Sequence, residues 1–224
     1  MLTCAHAWPH EKNHFVFSFT PGYFKGKSTY QKALDAWAIL LKAFGFTVKN
    51  PPFTSFSKTF GVFKGQLGKF GPGQDAPVAL DMAVIRLREP LGDIVGWWDV
   101  VAAQPDSAGV GKIGGSYWRI GYPDFIGSYP ADFDPMEEPV FDSNFDFDYI
   151  KGYDYGIVAC ELGCEIFSAD GDSGGPYFGF DSSWFNDPYV LGVHSSMRKG
   201  LSVGAGGPAL KAMVNYFWTH PGPQ

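Results

Sequence analysis

The chain has 224 residues, 45% of them hydrophobic and 17% aromatic, enough material for one large all-β domain or two small ones. Lys and Arg number 17 against 23 Asp and Glu, and a net charge of −6 argues against a nucleic-acid partner, which needs clustered cations. No apolar run approaches the ~20 residues that span a bilayer, so no membrane partner is expected; the 29 Gly and 17 Pro point to short strands and many turns.

The chain opens with Leu2-Thr-Cys-Ala-His-Ala-Trp8, a mostly apolar run holding one histidine, and no signal peptide is visible ahead of it. Residues 14–20 alternate Phe15, Phe17 and Phe19 with Val16 and Ser18, a strand pattern. Residues 28–44 predict a helix: Ser28 can cap it, Gln31 completes a capping box, Leu34, Trp37, Leu41 and Phe44 share a face, and Gly45 stops it. Strands are expected over 46–49, 58–64 and 78–87, the last holding one acid, Asp81, among hydrophobes. Gly and Asp punctuate 89–115, with a domain boundary expected near 105–109. Ser116–Tyr122 reads as a strand, 124–148 as a long irregular acidic segment, and 155–162, 177–180 and 189–194 as strands. Pro208 opens a last helix with Leu210, Met213, Val214 and Phe217 on one stripe.

Three cysteines, Cys4, Cys160 and Cys164, do not make a disulfide framework, and buried thiols are the expectation. The run Asp142-Ser-Asn-Phe-Asp-Phe-Asp148 starts like a calcium loop, yet lacks the Gly and Glu such loops require; a solvated acidic loop is expected and no metal.

The stretch Phe167-Ser-Ala-Asp-Gly-Asp-Ser-Gly-Gly-Pro-Tyr177 suits neither helix nor central strand. It can hold the Ser173 hydroxyl outward with backbone N–H groups turned to one point, as an acyl-transfer nucleophile needs, or it can be a plain Gly-rich turn. A nucleophile also needs a base and an acid to orient that base. His6 and Asp81 lie upstream, and a carboxylate inside an apolar run calls for a partner such as an imidazole Nδ1–H. Gly171-Asp-Ser-Gly-Gly175 also fits the α/β-hydrolase elbow, but Pro176 and a β-rich stretch follow it where a helix is required.

In the order His, Asp, Ser, three segments resemble the motifs of chymotrypsin-like serine proteases. Thr3-Cys-Ala-His6 resembles T-A-A-H, Asp81-Met-Ala-Val-Ile-Arg-Leu87 resembles D-I-A-L-I-x-L, and Gly171-Asp-Ser-Gly-Gly-Pro176 is G-D-S-G-G-P. Gly121-Tyr-Pro123 and Leu191-Gly-Val-His194 resemble motifs of the glutamyl-endopeptidase (V8-like) branch. The resemblance implies an all-β, two-barrel fold, with a first barrel over 1–108 that includes a helical insertion at 28–44, and a second over 109–224 with a C-terminal helix over 208–219. It implies His6 as general base, Asp81 as its orienting acid, Ser173 as nucleophile, and the N–H groups of Gly171 and Ser173 as oxyanion hole. His194, with Ser195 beside it, and Ser168 would bind an acidic side chain before the scissile bond, a positively poised imidazole and a hydroxyl suiting a carboxylate. A secreted monomer acting on peptide or protein substrates without a cofactor is what the family implies.

The chain also departs from that pattern. The family places strands before the histidine motif, whereas here the histidine is residue 6, so an N-terminally incomplete first barrel is expected, and with it the alternative of a non-catalytic relative that binds peptide. The staple usual beside the histidine is absent at Ala7. In the family the acid before the nucleophile pairs with a freed N-terminus, and for Asp172 no such partner is expected.

Overall fold

A computed structural model describes residues 1–6, 18–19, 23–24, 27–28, 36, 39–40, 42–45, 55–62, 77–105, 110–111, 117–122, 140–166, 168–180 and 188–220. The strands expected at 46–49 and over most of 14–20 lie outside them. So does most of the helix expected at 28–44, of which Ala36, Ile39, Leu40, Lys42 and Ala43 are helical. Gly45 follows at φ +82°, as its stop position requires, but Phe44 is exposed rather than on a buried face.

The architecture is antiparallel β with a C-terminal helix. Strands β1 (Leu2–Thr3), β2 (Ser18–Phe19), β5 (Ser55–Val62) and β6 (Ala83–Leu87) form one sheet in the order β1-β6-β5-β2. Between them β3 (Tyr23–Phe24) and β4 (Lys27–Ser28) pair with each other, so Ser28 belongs to a strand. A short helix α1 (Gly92–Val95) leads to β7 (Asp99–Val100), then β8 (Val110–Gly111) and β9 (Tyr117–Gly121). The rest comprises β10 (Val140–Phe145), β11 (Tyr149–Asp154), β12 (Val158–Cys164), β13 (Pro176–Phe180), β14 (Pro188–Arg198), β15 (Leu201–Gly206) and α2 (Pro208–Thr219). The second sheet runs β10-β9-β13-β14-β15-β12-β11-β8, with β7 added in parallel to β14.

Three expectations are corrected. The apolar run 78–87 is not one strand: Val78–Leu80 is a 3₁₀ turn, and the strand begins only at Ala83. The acidic segment is not irregular throughout, because β10 pairs with β9 and β11 with β12. Within it Phe145 and Phe147 are buried, so alternation sends the aromatic rings inward. The strand β15 had no counterpart in the pattern, because its glycines leave little apolar signal. Those glycines are packing requirements, since a Cβ on Gly204 would lie 2.3 Å from the Tyr177 ring.

Two apolar clusters position the site. One fills the second sheet, with Tyr117, Phe147, Ile150, Leu162, Tyr177 and Leu191 among its members. The other is a seam between the halves: Ala5, Leu80 and Met82 from the first meet Val193, Ala205 and Leu210 from the second, with Met213 and Val214 of α2 against it. The stripe expected on α2 is therefore the face that closes the seam. Cys4, Cys160 and Cys164 are free and buried, and burial pushes the thiol of Cys160 up to about 11 and that of Cys164 to about 12.

Candidate active site

The register of β1 on β6, Thr3 opposite Ala83, brings the turn after β1 alongside the residues that precede β6. His6 therefore sits beside Asp81, though 75 positions separate them. Both are flanked by seam residues, Ala5 on one side and Leu80 and Met82 on the other. The carboxylate accepts the His6 backbone N–H on Oδ1 at 2.8 Å and the ring Nδ1 on Oδ2 at 2.6 Å. The Ser195 hydroxyl donates to Oδ2 as well, so the buried acid is compensated by three donors. A carboxylate only accepts, which assigns the ring proton to Nδ1 and leaves the Nε2 lone pair facing Ser173 Oγ at 2.9 Å.

The serine loop is held from two sides. It prolongs the β13–β14 ladder, with Gly174 N–H donating to the His194 carbonyl and His194 N–H to that of Gly175. Gly174 has φ +88°, and a Cβ there would lie 2.3 Å from the Thr3 hydroxyl, so only glycine lets the loop lie against β1. Hydrogen bonds within the loop take the N–H groups of Asp172 and Gly175, and that of Gly174 goes to His194. Among the described residues none takes those of Gly171 and Ser173, the pair expected to form an oxyanion hole.

Sequence reasoning missed what anchors Asp172. Its Oδ2 accepts the Ala169 N–H at 3.0 Å and lies 3.1 Å from Nη2 of the buried Arg119. That guanidinium also donates through Nε and Nη2 to Asp142 Oδ2, at 2.9 and 2.6 Å. Asp142, expected in a solvated acidic loop, is thus an ion-pair partner, and Asp172 is paired with an internal cation rather than with an N-terminus. Burial pushes the Asp172 carboxyl up, opposed by the Ala169 N–H and by Arg119. Gly121 of the Gly-Tyr-Pro motif leaves room for it, since a Cβ there would fall 2.0 Å from Asp172 Oδ1. The available signal was the alternation in β9: Tyr117, Arg119 and Gly121 all point inward, and an inward arginine needs acids.

The residues expected to read a substrate lie in or near this loop. Ser168 is buried just ahead of Ala169. His194 is 1% exposed, with Nδ1 at 2.9 Å from the Tyr177 hydroxyl and 3.0 Å from that of Ser202. Burial first, then the charges of Arg119 and His6, push its pKa down to about 3, so the ring is neutral rather than positively poised. The Ser195 side chain is on Asp81, and its carbonyl lies 3.2 Å from Ser173 Oγ.

No protein-family model matches the chain, and no curated protein matches its sequence. Solved structures do. A Glu endopeptidase in complex with MPD superposes with a TM-score of 0.61 at 16% identity, over 98% of this chain and 80% of that one. The protease Anisep from Arthrobacter nicotinovorans gives 0.56 at 20% identity over 96% and 80% of the two chains. A thermostable serine protease AL20 from an extremophilic microorganism gives 0.58 at 17%, over 99% and 84%. With strands in two antiparallel sheets and a C-terminal helix, the chain has the chymotrypsin-like β-barrel fold.

Proposed function

We propose that this chain is a serine endopeptidase that hydrolyses peptide bonds through an acyl-enzyme. The observation that carries the reading is the hydrogen-bond relay from Asp81 through His6 to Ser173, built from three segments remote in sequence. A fold alone does not specify an activity, but an acid, a base and a hydroxyl in that order and at those distances are what acyl transfer to a serine requires.

In this mechanism Ser173 Oγ attacks the scissile carbonyl carbon and passes its proton to His6 Nε2. The oxyanion takes hydrogen bonds from the N–H groups of Gly171 and Ser173; such a donor is worth roughly 3–4 kcal/mol in the transition state. Asp81 stabilises the imidazolium and fixes its plane. The C–N bond then breaks as His6 returns the proton to the leaving amine, and the acyl group stays on Ser173. Water, deprotonated by the same imidazole, releases the acid and restores the serine. A fluorophosphonate probe tests this. It should label the purified protein, and Ser173→Ala should abolish labelling; a well-folded chain that takes no label would be a peptide-binding relative instead.

The rate should depend on pH with a definite sign. The Asp81 hydrogen bond, then that of Cys4, hold the His6 pKa above the ordinary imidazole value against the opposing effect of burial. The base is blocked while protonated, so labelling should rise with pH through a limb lying above about 6.5. A rate already at its plateau by that pH would contradict the assignment.

For specificity we infer a preference for Glu before the scissile bond. With Nδ1 of His194 engaged by Tyr177 and Ser202 hydroxyls, a neutral ring can still donate Nε2–H to a substrate carboxylate, and the resemblance implies Ser168 as a second donor. Fluorogenic peptides differing only at that residue should be cleaved fastest with Glu. Faster cleavage after Phe or Arg would overturn the preference without touching the mechanism.

A further inference from the structure

Cys4 takes no step in the mechanism beyond its hydrogen bond to His6, and its environment is unusual for a plain core thiol. Its Sγ lies 3.8 Å from His6 Nε2, and the ligand atoms of Cys4, His6 and Asp81 all fall within 4.8 Å of one another. A tetrahedral zinc with Zn–S about 2.3 Å and Zn–N about 2.0–2.1 Å would hold its sulfur and nitrogen about 3.6 Å apart. The two atoms here are already close to that separation. The other ring nitrogen is bound to Asp81 Oδ2 at 2.6 Å, and a carboxylate on the far nitrogen is the usual support of a metal-ligating histidine. Cys4 is fully buried but the His6 side chain is 30% exposed, so an ion reaches the pair past the histidine ring. Where the family motif is T-A-A-H this chain has Thr3-Cys-Ala-His6, so the thiol is a feature of this sequence and not of the fold.

We propose that Cys4 and His6 form a site for a thiophilic divalent cation, zinc above all, whose binding switches off Ser173. The thiol gives up its proton to solvent, and Sγ and Nε2 each donate a lone pair to the metal. Asp81 stays on Nδ1 as the supporting carboxylate, while water or the Ser173 oxygen completes the coordination. Hard cations such as Ca²⁺ or Mg²⁺ are not expected to compete, because a thiolate suits them poorly. Nε2 has one lone pair, so a metal-bound imidazole cannot accept the serine proton, and the block is reversible by chelation. Metal binding stands on the Cys4–His6 geometry alone; the switch rests on the peptidase reading above.

The two parts separate by experiment. Cobalt(II) added to the purified chain should give the near-ultraviolet thiolate-to-cobalt absorption band, in wild type and in Ser173→Ala alike, and Cys4→Ala should lack it. Zinc at about ten times its dissociation constant leaves roughly one site in eleven free, so fluorophosphonate labelling should slow about tenfold and recover with EDTA. Each variant is compared with its own metal-free rate, and for Cys4→Ala that ratio should stay near one. Circular dichroism checks folding, and Cys4→Ser replaces the alanine variant if the latter does not fold. No cobalt band in folded wild type, or equal zinc sensitivity without the thiol, overturns the proposal. A chain that gives the band but takes no label without metal would instead defeat the peptidase reading and leave the metal site standing.

Discussion

Asp81→Asn is expected to lower kcat by about four orders of magnitude, the loss seen when the same change is made in a Ser-His-Asp enzyme, while the chain stays folded. Asp81 accepts from the His6 N–H, the His6 ring and the Ser195 hydroxyl. An asparagine has a single acceptor oxygen, and its amide N–H groups oppose a protonated Nδ1. The ring then carries its proton on Nε2, where it cannot take one from Ser173. The donors left unpaired cost about 1–3 kcal/mol, so the thermal midpoint should fall modestly while turnover nearly vanishes. Turnover and melting are measured on one preparation, and a loss smaller than about tenfold would remove Asp81 from the relay.

Arg119→Met should be the most destabilising single change at the site. It leaves the carboxylate of Asp172 buried without its cation, and Asp142 loses the same partner. Removing one member of a buried pair costs about 3–5 kcal/mol, which for a chain of this size lowers the melting temperature on the order of 10 °C. The loop should lose its anchor too, since Asp172 fixes Ala169, two residues before Gly171, the oxyanion donor of the proposed mechanism. Loss of one oxyanion donor lowers kcat by about 10²–10³ with little change in KM. Arg119 acts here as a positioning residue, and the double variant R119M/D172N separates its two effects. Neutralising the orphaned acid should restore most of the melting temperature but not kcat. Recovery of both would reduce Arg119 to a structural ion pair.

The serine loop and Asp81 were legible in the sequence because each is marked locally, by glycines and proline around Ser173 and by a carboxylate inside an apolar run; His6 carries no such local mark and stood out only through the order of the three motifs that resemble those of chymotrypsin-like proteases. What failed was whatever depends on a partner far along the chain. The run 78–87 is mostly apolar because turn and strand alike are buried, every residue from Ala79 to Ile85, so periodicity could not separate Val78–Leu80 from Ala83–Leu87. The acids near 142 looked solvated because the arginine that pairs with Asp142 stands 23 positions earlier. His194 looked like a charged ligand, whereas burial and nearby cations make it neutral, and no spacing rule reports burial. The strand Leu201–Gly206 was hidden by the small residues that let Tyr177 and Leu162 pack against it.

The seam has a consequence for motion. Ala5 adjoins the histidine, and Leu80 and Met82 bracket the acid, and all three belong to the cluster that holds the two sheets together. A loop-borne site can fray while its scaffold stays intact, but here neither the His6 backbone nor Asp81 can shift without opening the interior. Amide exchange at the His6 N–H, which is bonded to Asp81, should therefore proceed only through the deepest opening of the protein. Heat should extinguish turnover and structure as one cooperative event, with no inactive folded species populated on the way.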